Sequence, residues 1–169
     1  MVKSLDEGSL PFVGDFQKFL EGASNYGRAV NDSTQFFEKK VVDGFIDKIE
    51  AGIDLPNYPQ YRDMNQMFFD VIEGIGKIDG GYIETAVLTL KEEKGAIPEV
   101  SAIRNRSQEI YEKLGEPFQL RVCVVGPYTM ASLFTYKDKN TVTRLSNVLA
   151  QMVETNVFNS KHGNVVLVS

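Results

Sequence analysis

The sequence predicts an α/β fold amounting to about half of a (β/α)8 barrel: roughly four parallel strands alternating with helices, and a possible short hairpin near 82–97. Three observations predict it. Apolar, β-branched segments alternate with segments of helical periodicity, the signature of βαβ units. Two of those segments, Leu120-Arg121-Val122-Cys123-Val124-Val125 and Val165-Val166-Leu167-Val168, read as strands covered on both faces. The 169 residues are too few for the roughly 250 of a closed barrel. The whole of 1–169 is therefore read as the N-terminal half of one barrel domain, with a buried strand at 165–168 after which another element is expected.

The elements follow in order. Residues 2–10 read as a short strand running into the loop Gly8-Ser9-Leu10-Pro11. Residues 12–31 mix aromatic residues with glycines and predict a short helix within irregular chain. Asp32-Ser33-Thr34-Gln35 is a capping box, and Phe37, Val41, Phe45 and Ile49 recur every four residues after it until Gly52. Ile53-Asp54-Leu55 predicts a strand ended by Pro56 and Pro59, which cannot donate to a ladder. A second capping box, Asp63-Met64-Asn65-Gln66, predicts a helix with Met67, Phe68, Val71, Ile72 and Ile75 on its apolar face, ended by Gly74 and Gly76.

Residues 82–90 predict an extended or hairpin element with a solvated turn at 91–95. Residues 98–114 predict one helix stopped by Gly115. The strand at 120–125 is broken by Gly126-Pro127, with a helix from about Tyr128. Another helix carries Val142, Leu145, Val148, Leu149, Met152 and Val153 before the last strand.

Composition narrows the function classes. A net charge of -5 without a basic, aromatic-interleaved patch argues against nucleic acid or an anionic membrane surface as partner. No apolar run approaches the ~20 residues of a membrane span, and residues 1–6 do not read as a signal peptide; a cytoplasmic setting is expected. The single Cys123 excludes an internal disulfide, and with one His162 far from it no zinc-ligand spacing exists. Neither a phosphate loop nor a nucleophile elbow occurs.

Candidate binding residues sit in the loops after three predicted strands, where parallel sheets host their ligands. Gly8 and Ser9 could offer backbone amides and a hydroxyl, although taken alone they are better explained as a turn closed by Pro11. In Asn57-Tyr58-Pro59-Gln60-Tyr61-Arg62-Asp63-Met64, Tyr58 offers a hydroxyl and Arg62 could hold a carboxylate, while Asp63 is accounted for as a helix cap. In Gly126-Pro127-Tyr128-Thr129, Pro127 suits the first turn of a helix and Thr129 adds a hydroxyl. Cys123 reads as a small strand hydrophobe and His162 as a solvated turn residue.

Taken together and in this order, Gly8-Ser9-Leu10-Pro11, Ala51-Gly52-Ile53-Asp54 leading to Arg62-Asp63-Met64, and Gly126-Pro127-Tyr128-Thr129 resemble the catalytic barrel of cobalamin-independent methionine synthase, most nearly its shorter archaeal-type relatives. That superfamily also includes uroporphyrinogen decarboxylase. The resemblance implies a TIM barrel that transfers a methyl group to the homocysteine thiol, activated as a thiolate on zinc. It implies that Gly8 and Ser9 contact the amino-acid part of a homocysteine-like molecule. It also places Tyr58 where the family has a glutamate for the substrate amine. The family's zinc ligands belong to the second half of the barrel, so this chain is expected to hold no cofactor itself, to supply substrate-orienting loops, and to be inactive alone.

A different reading is a non-catalytic half-barrel that associates with a second copy of itself or with a separate C-terminal half, because unpaired sheet edges invite pairing. A uroporphyrinogen decarboxylase-like enzyme ranks third. It would need arginines for an acidic macrocycle, and residues 8–14 contain none.

Overall fold

The computed structural model describes residues 4–6, 9–91 and 95–169. Gly8 and part of the expected first strand and of the expected turn at 91–95 lie outside the described residues. The chain divides into two compact units. Unit one takes in Met1–Arg62, Ile97–Cys123 and Val157–Ser169; unit two takes in Asp63–Ala96 and Val124–Asn156.

In unit one, α1 (Phe16–Asn25) starts at Asp15, whose carboxylate accepts the Lys18 amide. The long α2 (Asp32–Glu50) is capped one residue earlier than expected. Asn31 accepts the Thr34 amide while the Thr34 hydroxyl accepts the Asn31 amide, so the box is reciprocal and spans Asn31 to Thr34. The expected stripe is its buried face, with Phe37, Val41 and Phe45 inaccessible to solvent. The two helices pack closely at Gly22, where an added Cβ would lie 2.2 Å from the Ser33 carbonyl oxygen. Phe19 fills the same layer against Phe37 and Tyr61, at centroid distances of 5.0 and 5.4 Å.

The single helix expected over 98–114 is two: α4 (Pro98–Asn105) and α5 (Ser107–Leu114). They are separated at Arg106, whose φ of -100° and ψ of 15° leave the helical region. Gly115, at φ 78°, closes α5 as expected.

The parallel half-barrel does not form. The described sheets are two two-stranded ones: an antiparallel pair, β1 (Ile72–Ile78) with β2 (Gly81–Leu90), and a parallel pair, β3 (Phe118–Val122) with β4 (Gly163–Val168). Among the described residues, the expected strands near 2–10 and 53–55 share one parallel bridge, Leu5 to Leu55, and Asn57 just beyond them bridges Arg121. Pro56 and Pro59 deny that stretch a continuous row of donors, so no ladder extends.

In unit two, Asp63 caps a helix as expected, accepting the Gln66 amide at 2.7 Å, but α3 (Met64–Phe69) ends after six residues. The residues expected to continue it form β1 instead. Their β-branched side chains and two glycines disfavour helix, and Asp79-Gly80 is a two-residue hairpin connection joining Ile78 to Gly81. Gly74, at φ 81°, produces a register shift in β1, and an added Cβ there would meet the Val87 carbonyl oxygen at 2.6 Å.

The expected strand at 82–90 is thus half of a hairpin whose partner lies before it. Pro127 opens α6 (Pro127–Ser132), and α7 (Lys139–Asn156) buries Leu145, Val148, Leu149 and Met152. Phe69 stacks on Tyr82 at 4.1 Å and packs against Phe134. Among the described residues no helix is long and apolar enough to cross a membrane.

Candidate functional site

Unit one gathers polar side chains where its parallel segments end. Asp6 follows the Leu5 bridge, Asn57 forms the next bridge, Cys123 follows β3 and Ser169 follows β4. Lys48 enters from α2. It stands three residues after Phe45 on the buried stripe and is 3% exposed, a position where an ammonium needs a partner.

Hydrogen bonds join these groups into a closed ring. Lys48 Nζ pairs with the Asp6 carboxylate and donates to the Asn57 carbonyl at 3.2 Å. Asn57 Oδ1 accepts the Cys123 amide at 3.2 Å, and Cys123 Sγ lies 3.7 Å from Ser169 Oγ. Arg121 Nε donates to that same hydroxyl at 2.9 Å, and Nη1 returns to the Asp6 carbonyl at 3.3 Å. Cys123 is partly exposed at the end of its strand rather than enclosed within it.

The loop beside the ring is buried throughout residues 55–60, although it carries no regular structure. Tyr58 is wholly enclosed and its hydroxyl donates to the Cys123 carbonyl at 2.9 Å. Burial pushes its phenol pKa well above the ordinary tyrosine range, with the nearby Glu99 carboxylate adding to the rise and Gln60 opposing it. Arg62 holds Glu99 in a bidentate pair, Nε and Nη2 each at 2.7 Å, and Glu99 is 1% exposed.

The sequence-predicted residues therefore separate. Tyr58 and Arg62 share Glu99 as a neighbour in unit one. Ser9, also in unit one, is exposed, and Gly8 lies outside the described residues. Thr129 is exposed on α6 and belongs to unit two. Lys48, Asn57, Glu99 and Arg121 escaped sequence reasoning. A lysine on the apolar stripe of α2 and an arginine inside an apolar strand were the signals that could have found them.

A cleft of unit one, about 440 Å³, is bordered by Tyr26, Glu38, Asn105 and Arg106. Its polar groups satisfy one another: Asn105 donates to the Tyr26 hydroxyl, which donates to Glu38, and Arg106 grips the same carboxylate. Burial and Glu38 push the Tyr26 phenol up.

Among the described residues no three His, Cys, Asp or Glu side chains come together as metal ligands. Those residues offer no donor set that fits the zinc implied by the resemblance. No family model matches the chain, and no curated protein matches its sequence.

Proposed function

We propose that this chain orients a homocysteine-like methyl acceptor, as the substrate-side portion of a cytoplasmic S-methyltransferase similar to cobalamin-independent methionine synthase. The observation that carries the reading is the ring of Asp6, Lys48, Asn57, Arg121, Cys123 and Ser169 at the C-terminal ends of parallel segments. Ligands of α/β proteins bind at that end, where strands stop and polar loop groups begin. The ring offers both signs of charge, which suits an amino acid with its ammonium and carboxylate. The order of the three loop motifs supports the same class of substrate. The proposal gives this chain no metal step.

The test is a titration of the protein with L-homocysteine under reducing conditions, followed by amide NMR. Saturable shifts at Asn57, Cys123 and Ser169 at millimolar ligand are expected. Absence of saturable shifts in unit one overturns the proposal.

One observation favours a second reading, an assembly module that pairs with another copy of the chain. β4 has β3 on one side; on the other, Asn159 bridges Asn164 and Phe158 accepts the Val165 amide, and beyond that bridge Val166 and Leu167 are 42% and 38% exposed. Exposed apolar edge strands are templates for pairing. Sedimentation would show a dimer that Val166→Lys dissociates; a monomer at all concentrations rejects this reading.

A further inference from the structure

We infer that a cleft of unit two, apart from the strand-end site of unit one, binds a small aromatic phosphate monoester. Its ring would lie on Tyr128 and its phosphate on Lys137 and Lys139. The cleft holds about 390 Å³ and is lined from α6 and from the start of α7. That volume falls in the roughly 300–1,000 Å³ of small-molecule pockets. Its least exposed lining residues are apolar, Ala131 at 2% and the half-buried Val142.

The polar groups here differ from those of the cleft beside Tyr26. There, Tyr26, Glu38, Asn105 and Arg106 satisfy one another. Here, neither the Lys137 nor the Lys139 ammonium has an ion pair or hydrogen bond among the described residues. Tyr128 is 80% exposed, and its ring and hydroxyl are equally without a partner among them. The acid between the two lysines is already engaged. Asp138 Oδ1 accepts the Thr141 amide at 2.7 Å and the Thr141 hydroxyl at 3.2 Å, and lies 3.8 Å from Arg144 Nη2. Its charge is directed into the first turn of α7, and both ammoniums remain to meet an incoming anion.

A phosphate on a flat ring is the ligand that fits. Each ammonium is a compact charge with three donors, suited to an anion with several oxygens. Two of them favour a dianion over a monoanion, and a phosphate monoester carries about 1.5–2 negative charges at neutral pH. The apolar lining and the exposed phenol ring serve only a ligand with an organic part. Stacking on an aromatic side chain tolerates many rings. A simple aryl phosphate and a mononucleotide share this chemistry.

Calorimetric titration at low salt compares phenyl phosphate, adenosine monophosphate, inorganic phosphate and benzyl alcohol. The variants are Tyr128→Ala, Lys137→Gln combined with Lys139→Gln, and the same two lysines changed to Arg. All three side chains are exposed, so the variants keep the fold. At least one of the two aromatic phosphates should bind with a Kd on the order of millimolar, shifting the amide signals of Ala131 and Val142. Inorganic phosphate and benzyl alcohol should each bind at least about tenfold more weakly.

The double Gln variant should lose about tenfold in affinity, and the double Arg variant should keep it. Tyr128→Ala should weaken the aromatic phosphates about tenfold and leave inorganic phosphate unchanged. Added salt should weaken every phosphate, because these lysines are exposed. Tighter adenosine monophosphate identifies a nucleotide as the source, and tighter phenyl phosphate a simple aryl phosphate; either supports the assignment. Aromatic phosphates no tighter than inorganic phosphate, or indifferent to Tyr128→Ala, overturn it. So does binding that survives the double Gln variant, or saturable binding of neither aromatic phosphate.

Discussion

Among the described residues, unit one encloses two of its ion pairs and leaves the others on its surface, whereas those of unit two all reach solvent. Lys48 with Asp6 and Arg62 with Glu99 are mostly withdrawn from solvent. In unit two, Arg144 pairs with Glu84 and approaches Asp138, and these side chains are 39%, 22% and 62% exposed. The chemistry of the contacts is alike: a guanidinium or ammonium against a carboxylate. Their consequences differ because desolvation makes a broken buried pair expensive, while water replaces the partner of an exposed one.

Removing Glu99 tests this most severely. Glu99→Ala removes the carboxylate that holds the Arg62 guanidinium from both nitrogens and should destabilise unit one by about 3–5 kcal/mol in denaturant unfolding. A loss under about 1 kcal/mol would mean that water already shields Arg62 and that the contrast between units is false.

Alkali should come next. The raised phenols of Tyr58 and Tyr26 keep their protons when folded, so their contribution is fully present below about pH 10, the unfolded value, and is lost as pH rises above it. Hydrogen exchange resolved by peptide should show unit one opening first on the alkaline side. Preferential opening of unit two there would contradict the burial argument.

Gly22→Ala sharpens the comparison from the packing side. Its Cβ would enter the Ser33 carbonyl rather than a flexible side chain, so about 1–3 kcal/mol of overpacking is expected from the shift in denaturation midpoint. No change would show that α1 can move away from α2.

The smallest effects belong to unit two. Arg144→Ala should leave the denaturation midpoint nearly unchanged despite removing the guanidinium that bonds Glu84 at 2.6 Å. The Glu84 and Asp138 carboxyls are held low, Glu84 first by its bond to Arg144 and Asp138 first by the Thr141 amide. Their contribution is present above the ordinary carboxylate range and is lost as pH falls through the lowered values. Acid exchange profiles should therefore show a shallow loss around α7 that Arg144→Ala flattens.

Much of the local structure was legible because it depends on neighbours in sequence. The Asp63 cap, the α2 stripe, Pro127 at a helix start and Gly115 at a helix end are short-range matters of hydrogen-bond supply and backbone freedom. The helix expected through Val71 and Ile72 failed for a related reason. Apolar spacing alone cannot separate a helix from a half-buried strand, and the Asp79-Gly80 turn decided for the strand. Of the candidate site, Tyr58 and Arg62 were visible as types, but not their enclosure or the Glu99 they share.

The sequence alone determined the helix starts at Asp63 and Pro127, the helix stop at Gly115, and that β3 and β4 are strands. Tertiary structure decided which strands pair and which stop at a single bridge, since pairing joins residues as distant as Asn57 and Arg121. It also decided the ring of polar groups, in which Asp6, Lys48 and Arg121 meet. Such contacts depend on how far apart the chain's segments end in space, and residue order does not encode that distance directly.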